Sequence, residues 1–309
     1  MKERIAVRVP GSTSNLGSGF DTVSAALSVY LDISAQVIPG NEMVWPDDFN
    51  LAPEENMILR SYLGACGKLG FTSPGLRFSV SNEIPLKRGL GSSAAAIIGG
   101  IKLAAAMSGN TLSEEEIFDI AYPLEQHPDN LAASCLGGWA LSRVSDGRMR
   151  AERLESKLDV QYVVAIPEYT VSTREAREIL PDRYSLEDAV FNIQRAALLT
   201  HAVKEGRADL IREATGDRLH QGYRSSLVPG MTDLLEMKNL DDSLSRDLLS
   251  VTVSGSGSTV LAMVSPRGDS KTTGEWMCEA FSAKGIPATC RILDLDRTGA
   301  RVTEGLGEV

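Results

Sequence analysis

Apolar and polar residues alternate along Arg4–Val9, Leu31–Ile38 and Leu76–Val80. Successive side chains of a strand point to opposite faces, so each run predicts a β-strand. The first is expected to stop at Pro10, which has no N–H to give to a sheet. From Ser92-Ser93 the pattern changes to an alanine-rich stretch, Ala94–Ile98, that continues to about Met107 and halts at Ser108-Gly109-Asn110. Serine ahead of such a run marks a helix start. A second helix is expected after Thr111–Ser113. It is opened by Glu114–Glu116, whose charge suits the helix dipole, and closed near Tyr122-Pro123. The run Leu131–Cys135 leads to Gly137-Gly138, and Trp139–Ser142 reads as a returning strand. Val160–Ile166 is a further strand, ending at Pro167. Ser185 to about Glu205 has helical periodicity, with Val190, Ile193, Ala197 and Leu198 on one apolar face. Val251–Val253 and Val260–Val264 flank a Gly-Ser turn, Ser254–Ser258; Thr272–Ala283 predicts a helix and Ala288–Leu293 a closing strand. Strands and helices thus mix throughout, which predicts an α+β chain. The polar, charged stretch Val144–Leu158 is the expected boundary between two domains, residues 1–155 and 156–309.

Composition narrows the function. The 309 residues are 43% hydrophobic and 23% charged, which is ordinary for a chain that buries a core. The net charge of −10 argues against a nucleic-acid or anionic-membrane partner, because phosphate backbones demand basic faces. The opening Met1–Pro10 lacks a secretory apolar core, and no stretch reaches the roughly 18 apolar residues that span a bilayer, so a cytoplasmic chain is expected. Cys66, Cys135, Cys278 and Cys290 form no CxxC pair and read as reduced thiols, mostly filling the core.

The segment richest in chemistry is Pro85-Leu86-Lys87-Arg88-Gly89-Leu90-Gly91-Ser92-Ser93-Ala94-Ala95. Glycines remove bulk and permit positive φ, so backbone N–H groups can converge on an anion. The helix that follows adds unpaired N–H donors and the positive end of its dipole. Ser92 and Ser93 add hydroxyls for phosphate oxygens or a magnesium ion. A Gly-Ser turn in isolation is more often a plain helix cap; two glycines, two serines and an alanine-rich helix in this order favour a nucleotide triphosphate. Gly89, Gly91 and Ala94 also fit a dinucleotide fingerprint, but Pro85–Arg88 separates them from any strand, and the acidic residues downstream, Glu114–Glu116, open a helix. No Gly-Lys-Ser/Thr follows, which excludes a Walker loop.

Three segments, Pro85–Ala95 among them, carry a family resemblance. Pro10-Gly-Ser-Thr-Ser-Asn-Leu-Gly-Ser-Gly-Phe-Asp21 resembles the first motif of the GHMP kinases, Pro85–Ala95 is similar to their second, ATP-binding motif, and Ser254-Gly-Ser-Gly-Ser-Thr259 looks like their third. His127-Pro-Asp-Asn130, Ser172–Arg177 with Leu180-Pro181, and Asp217-Arg-Leu-His220 with Tyr223-Arg224 look like the homoserine kinase branch. The ordered set covers nearly the whole chain. It implies an N-terminal domain like domain 2 of ribosomal protein S5 and a ferredoxin-like C-terminal domain. It further implies ATP and Mg2+ in the cleft between them, transfer of the γ-phosphoryl group to the side-chain hydroxyl of L-homoserine on the route to threonine, and a homodimer.

The resemblance also implies roles. Asn15, Asp21, His127, Asn130, Arg177, Arg224 and Gly255 would face the amino acid. Asp21 would meet its ammonium, and Arg177 and Arg224 its carboxylate, which guanidinium forks match in shape. The backbone N–H groups of the third motif, Gly255 among them, would shape the cleft. Asp21, Asn130 and Ser93 are the expected catalytic residues, and Ser93 with Glu125 the magnesium partners, with Asp119 as the alternative carboxylate. The chain departs from the family at Gln126, where glycine is common, at Tyr122-Pro123, and at Lys87-Arg88. Taken alone, Asn15 and Asp21 would read as a turn and a cap, the arginines as surface charges, Glu125 as a solvated loop residue and a lone histidine as structural. Alternatives are another GHMP kinase, a non-catalytic relative and a dinucleotide oxidoreductase.

Overall fold

The computed structural model describes residues 3–47 and 51–303. The ends of the two expected domains, residues 1–2 and 304–309, lie outside the described residues. Strand β1 (Arg4–Asn15) pairs antiparallel with the long β2 (Gly19–Ile38). Pro10 does not end β1. The register shifts between Pro10, opposite Tyr30, and Gly11, opposite Leu27, so the N–H that proline lacks falls at an irregularity of the ladder. The first sheet runs β11-β1-β2-β4-β3, where β3 is Met43–Val44, β4 Gly75–Asn82 and β11 Arg301–Thr303. β5 (Trp139–Ser145) pairs with β2, and β6 (Arg148–Leu154) with β5.

Helices α1 (Met57–Leu69), α2 (Ser92–Ser108), α3 (Glu114–Ala121) and α4 (Pro128–Leu136) complete this lobe, and α2 packs on α1, β1 and α4. α2 is sheathed in small residues, which lets its neighbours approach closely. A Cβ on Gly100 would lie 2.2 Å from Ser61 Oγ and 2.3 Å from the Ile58 carbonyl, so only glycine lets α1 and α2 touch there. α3 begins with the expected acidic turn, closed by a reciprocal pair between Ser113 and Glu116.

The polar stretch Val144–Leu158 is mostly a hairpin. β5 turns through Asp146 (φ 52°) and Gly147 (φ 72°) into β6, whose polar residues face water while Met149 points into the core. The chain leaves the first sheet after Leu154 and enters a second at β7 (Gln161–Pro167). Between β7 and β8 (Leu248–Val253) run the strap helix α5 (Thr173–Glu178), the long α6 (Leu186–Glu205) and four short helices: α7 (Ile211–Ala214), α8 (Gln221–Arg224), α9 (Met231–Leu235) and α10 (Asp242–Ser245). Then come β9 (Val260–Val264), α11 (Ser270–Ser282) and β10 (Ala288–Leu293). The antiparallel order β10-β7-β9-β8 is the ferredoxin-like arrangement. The last strand, β11, returns to the first sheet beside β1.

α6 corrects the reading of its apolar face. Leu199, Ala202 and Val203 are buried with Asn192, whereas Leu186, Val190 and Ile193 are 81%, 43% and 69% exposed. The helix carries two apolar stripes; of the face that periodicity selects, Val190, Ile193 and Ala197 point to solvent and Leu198 packs against the core. The four cysteines are free thiols; Cys66 and Cys135 are buried, but Cys290 is exposed rather than core filler.

Between the two sheets lies a fully buried polar contact, where Trp139 Nε1–H donates to the Tyr162 hydroxyl at 2.9 Å. Tyr162→Phe strips the indole of its acceptor without changing shape, and about 1–3 kcal/mol of unfolding free energy should be lost in urea titrations.

Candidate active site

The Gly-Ser loop forms as its composition demands, with one change. The N-cap of α2 is Gly91 itself, in the left-handed region (φ 71°), and no side chain caps the helix. Ser92 and Ser93 are therefore its first helical residues, and no cap engages their hydroxyls. A Cβ on Gly91 would lie 2.0 Å from Ser12 Oγ, so this position needs glycine for both conformation and space. Leu90 is 1% exposed and turns into the core while its carbonyl accepts the Ser12 N–H at 3.0 Å. Pro85 through Ala94 line a cleft of about 770 Å³. Ala95, expected among the nucleotide contacts, is not part of that lining; its side chain is fully buried beneath. Lys87 and Arg88 both line the cleft and give its mouth positive charge.

Glu125 stands beside the helix start. His127 Nδ1 and the Ser93 hydroxyl both hydrogen-bond its carboxylate. Burial works to raise the Glu125 carboxyl, but those bonds outweigh it and hold it below the ordinary carboxylate value. The bond to Glu125 in turn raises His127. Asp119 lies elsewhere, paired with Arg150 at 3.6 Å. Pro123 follows the C-cap residue Tyr122 of α3, where proline interrupts no helix, and Gln126 is exposed between the two partners. Neither departure disturbs Glu125.

The rest of the cleft is lined by a network of polar groups, several of them buried. Arg177 donates to both oxygens of Asp21, at 2.7 and 3.0 Å, so the expected carboxylate clamp and ammonium partner hold each other. Asn15 is 3% exposed, and both ends of its amide are committed. Its Nδ2 donates to the Gly255 carbonyl at 2.7 Å and its Oδ1 accepts the Asp21 N–H at 2.9 Å. Asn15 thus fixes Asp21 rather than standing free. Gly255 also differs from expectation. Its N–H is spent on the Ser14 carbonyl at 3.1 Å, and its carbonyl, not its N–H, serves the site. Asn130 accepts from Ser12 Oγ at 2.9 Å and donates to Ser14 Oγ at 3.0 Å, tying α4 to β1 under the cleft. Asp129 beside it is 1% exposed; burial first, then the charge of Asp21, pushes its carboxyl up to about 6.

Arg224 is 3% exposed and donates to the carbonyls of Ala176 (3.0 Å) and Gly255 (3.1 Å) and to His220 Nδ1 (3.3 Å). Burial foremost, and then the charge of Arg177, lower its guanidinium to about 10. His220 is wholly buried and must be neutral to accept at Nδ1. Its Nε2–H donates to the Gly17 carbonyl at 2.8 Å, and burial lowers it to about 4. Asp217 organises the turn by accepting the N–H groups of Leu219, His220 and Gln221. Phe20 stacks on His220 (4.9 Å, 20°) with the guanidinium carbons of Arg177 and Arg224 5.2 and 5.1 Å from its ring centre. Sequence reasoning named neither Phe20 nor His220 as a site residue, although both sit inside the quoted motifs.

A polar loop, a paired carboxylate and two arginines, Arg224 buried and Arg177 half exposed, on one cleft could serve several phosphoryl acceptors, and relatives decide between them. The family model "GHMP kinases N terminal domain" matches residues 56–138. A homoserine kinase of Persephonella marina is 37% identical over 96% of this chain and 98% of its own length, and one of Moorella thermoacetica is 39% identical over 96% and 99%. This chain belongs to the homoserine kinase family. The crystal structure of the homoserine kinase from Cytophaga hutchinsonii, 25% identical, superposes with a TM-score of 0.86 over 98% of both chains. The GHMP architecture of two α+β lobes is thereby established, and the chain is a kinase of that family. Within a homoserine kinase frame, Phe20 and His220 are the residues whose structural work the motifs conceal.

The depressed His220 gives a pH signature. Between pH 6.5 and 4 the unfolded chain protonates this imidazole and the folded chain does not, so stability falls as pH falls through that window. His220→Gln removes the effect. The stability difference between wild type and variant should shrink from pH 7 to pH 4 by an amount of the order of 3 kcal/mol, read by urea titration at each pH. A difference independent of pH would mean that folding leaves the proton affinity of His220 unchanged.

Proposed function

We propose that this chain phosphorylates the side-chain hydroxyl of L-homoserine with ATP, as a cytoplasmic enzyme on the route to threonine. The observation that carries the reading is the Asp21–Arg177–Arg224 constellation at the end of a cleft that begins at a phosphate-type loop. A free amino acid brings one carboxylate and one ammonium. Asp21 and Arg177 are a matched pair that such a zwitterion can enter, Asp21 taking the ammonium and Arg177 the carboxylate. Arg224 adds fixed positive charge next to them. Mevalonate and sugars have no ammonium for Asp21.

The N-terminal residues of α2 and the backbone of Gly89–Ser93 hold the triphosphate, with Lys87 and Arg88 at the mouth. Magnesium prefers hard oxygen ligands and keeps several waters, which the Glu125 carboxylate and Ser93 hydroxyl fit. When bound there it would neutralise charge on the transferring group. Among the described residues no cluster of three or more His, Cys, Asp or Glu could hold a metal by itself, so the nucleotide would complete its shell. His127 Nδ1 holds Glu125 in place through its hydrogen bond to the carboxylate. Asn130 and Ser14 set the wall on which the homoserine hydroxyl is aligned. Phosphoryl transfer is mostly positioning and charge stabilisation, so an early proton acceptor is not needed. Residues 1–155 would carry the nucleotide and residues 156–309 would close on it through the strap of α5.

Two experiments check this. An ADP-release assay with Mg-ATP should respond to L-homoserine and not to mevalonate, galactose or shikimate; release with another alcohol alone would discard the amino-acid reading. Arg177→Ala should raise the homoserine KM by roughly tenfold to a hundredfold, the worth of a charge-assisted pair, and leave the ATP KM within about threefold. Equal effects on both would remove Arg177 from the amino-acid site.

A further inference from the structure

The register of the second sheet sets Cys290 of β10 opposite Ala165 of β7, so both side chains stand on one face of the sheet. Ala165 belongs to the core that α11 covers with Trp276, Met277 and Phe281. Cys290 therefore lies beside α11, on the outermost strand of that sheet, and stays exposed. The closest approach is at Gly274. A Cβ there would lie 2.6 Å from Cys290 Sγ and 3.1 Å from its Cβ, so the absent side chain is what lets the thiol rest against the helix. Cys278 comes one turn later in α11, on the same side of it. Helical side chains lean towards the N-terminus over the preceding turn, so the Cys278 thiol reaches back across Gly274. There the Cys278 thiol is hydrogen-bonded to that of Cys290. Burial foremost, and then Cys290, pushes Cys278 up to about 11. Neither residue lines the cleft.

We propose that Cys278 and Cys290 are a dithiol that hydrogen peroxide converts to an intramolecular disulfide, stapling the edge strand β10 to α11. The exposed Cys290 reacts first. Its thiolate attacks one peroxide oxygen, the O–O bond breaks, and the expelled hydroxide takes up a proton and leaves as water. The Cys278 sulfur then attacks the sulfenic sulfur, and its proton departs with the sulfenic hydroxyl as a second water. Two thiols and one peroxide thus give one disulfide and two waters; both sulfurs are oxidised and the peroxide oxygens reduced. The partner thiol is already in contact, whereas a second peroxide must arrive by diffusion, so closure outruns further oxidation of Cys290. Cys66 and Cys135 are buried and stay outside this chemistry.

The full chain is treated with millimolar hydrogen peroxide, quenched, unfolded, alkylated and digested with trypsin without reductant. Cuts after Lys271, Lys284 and Arg291 put Cys278 and Cys290 on separate peptides, residues 272–284 and 285–291. These should appear joined, lighter by two hydrogens than their sum, and dithiothreitol should part them, while Cys66 and Cys135 remain alkylated. In Cys278→Ser the Cys290 sulfenic acid has no partner, so dimedone should label it several-fold more than in the wild type. Cys290 left unreacted, Cys290 driven to sulfinic acid without a joined peptide, two copies joined through Cys290, or equal dimedone labelling of wild type and Cys278→Ser would each overturn the proposal.

Discussion

A buried guanidinium cannot shed its charge cheaply, so every group around Arg224 is arranged to hold it. Ala176 brings the strap of α5 to it, Gly255 brings the β8–β9 turn, and His220, kept neutral by its own burial, offers Nδ1 and anchors through Nε2–H to Gly17. Asn15 then joins Gly255 to Asp21 from the first lobe. Four segments far apart in sequence, around residues 15–21, 176, 220–224 and 255, thus converge on one cation. The arrangement explains why the third motif supplies a carbonyl: a cation needs acceptors, and the N–H of Gly255 is better spent on Ser14.

The same logic separates two kinds of positive charge in the cleft. Arg224 is immobile and its field is permanent. Arg177 is half exposed, sits on a six-residue helix and is neutralised by Asp21. In the proposed reading an amino acid would exchange this one ion pair for two, and a molecule with only one of the two charges would leave either Asp21 or Arg177 without its partner.

Much of this was legible in the sequence because it is local. Alternation marks β1, the later half of β2 and β4, and an apolar run marks β7; the acidic turn after Ser113 marks α3; glycine and serine order marks the loop before α2. What was not legible depends on contacts between distant segments. Pro10 looks like a stop because the chain alone does not show that β2 absorbs the missing bond with a register shift. The polar residues of β6 look like a linker because an edge strand has one wet face. Val190 and Ile193 read as core because periodicity reports that a face is apolar, not what covers it. Within the site, Asn15, Gly255 and Asn130 all line the cleft, but whether an amide faces that cleft or a backbone depends on a partner more than 100 residues away.

The return of β11 to the first sheet has a mechanical consequence. The chain passes from the first lobe to the second after Leu154 and passes back before Arg301, and Leu27 bridges to Leu295 along the way back. The lobes are therefore held by two covalent tethers. Their natural relative movement is a rocking about the line between the tethers, not a slide or a full separation. A protease that cut either tether would leave the halves attached through the other, and the cleft between them would keep its walls.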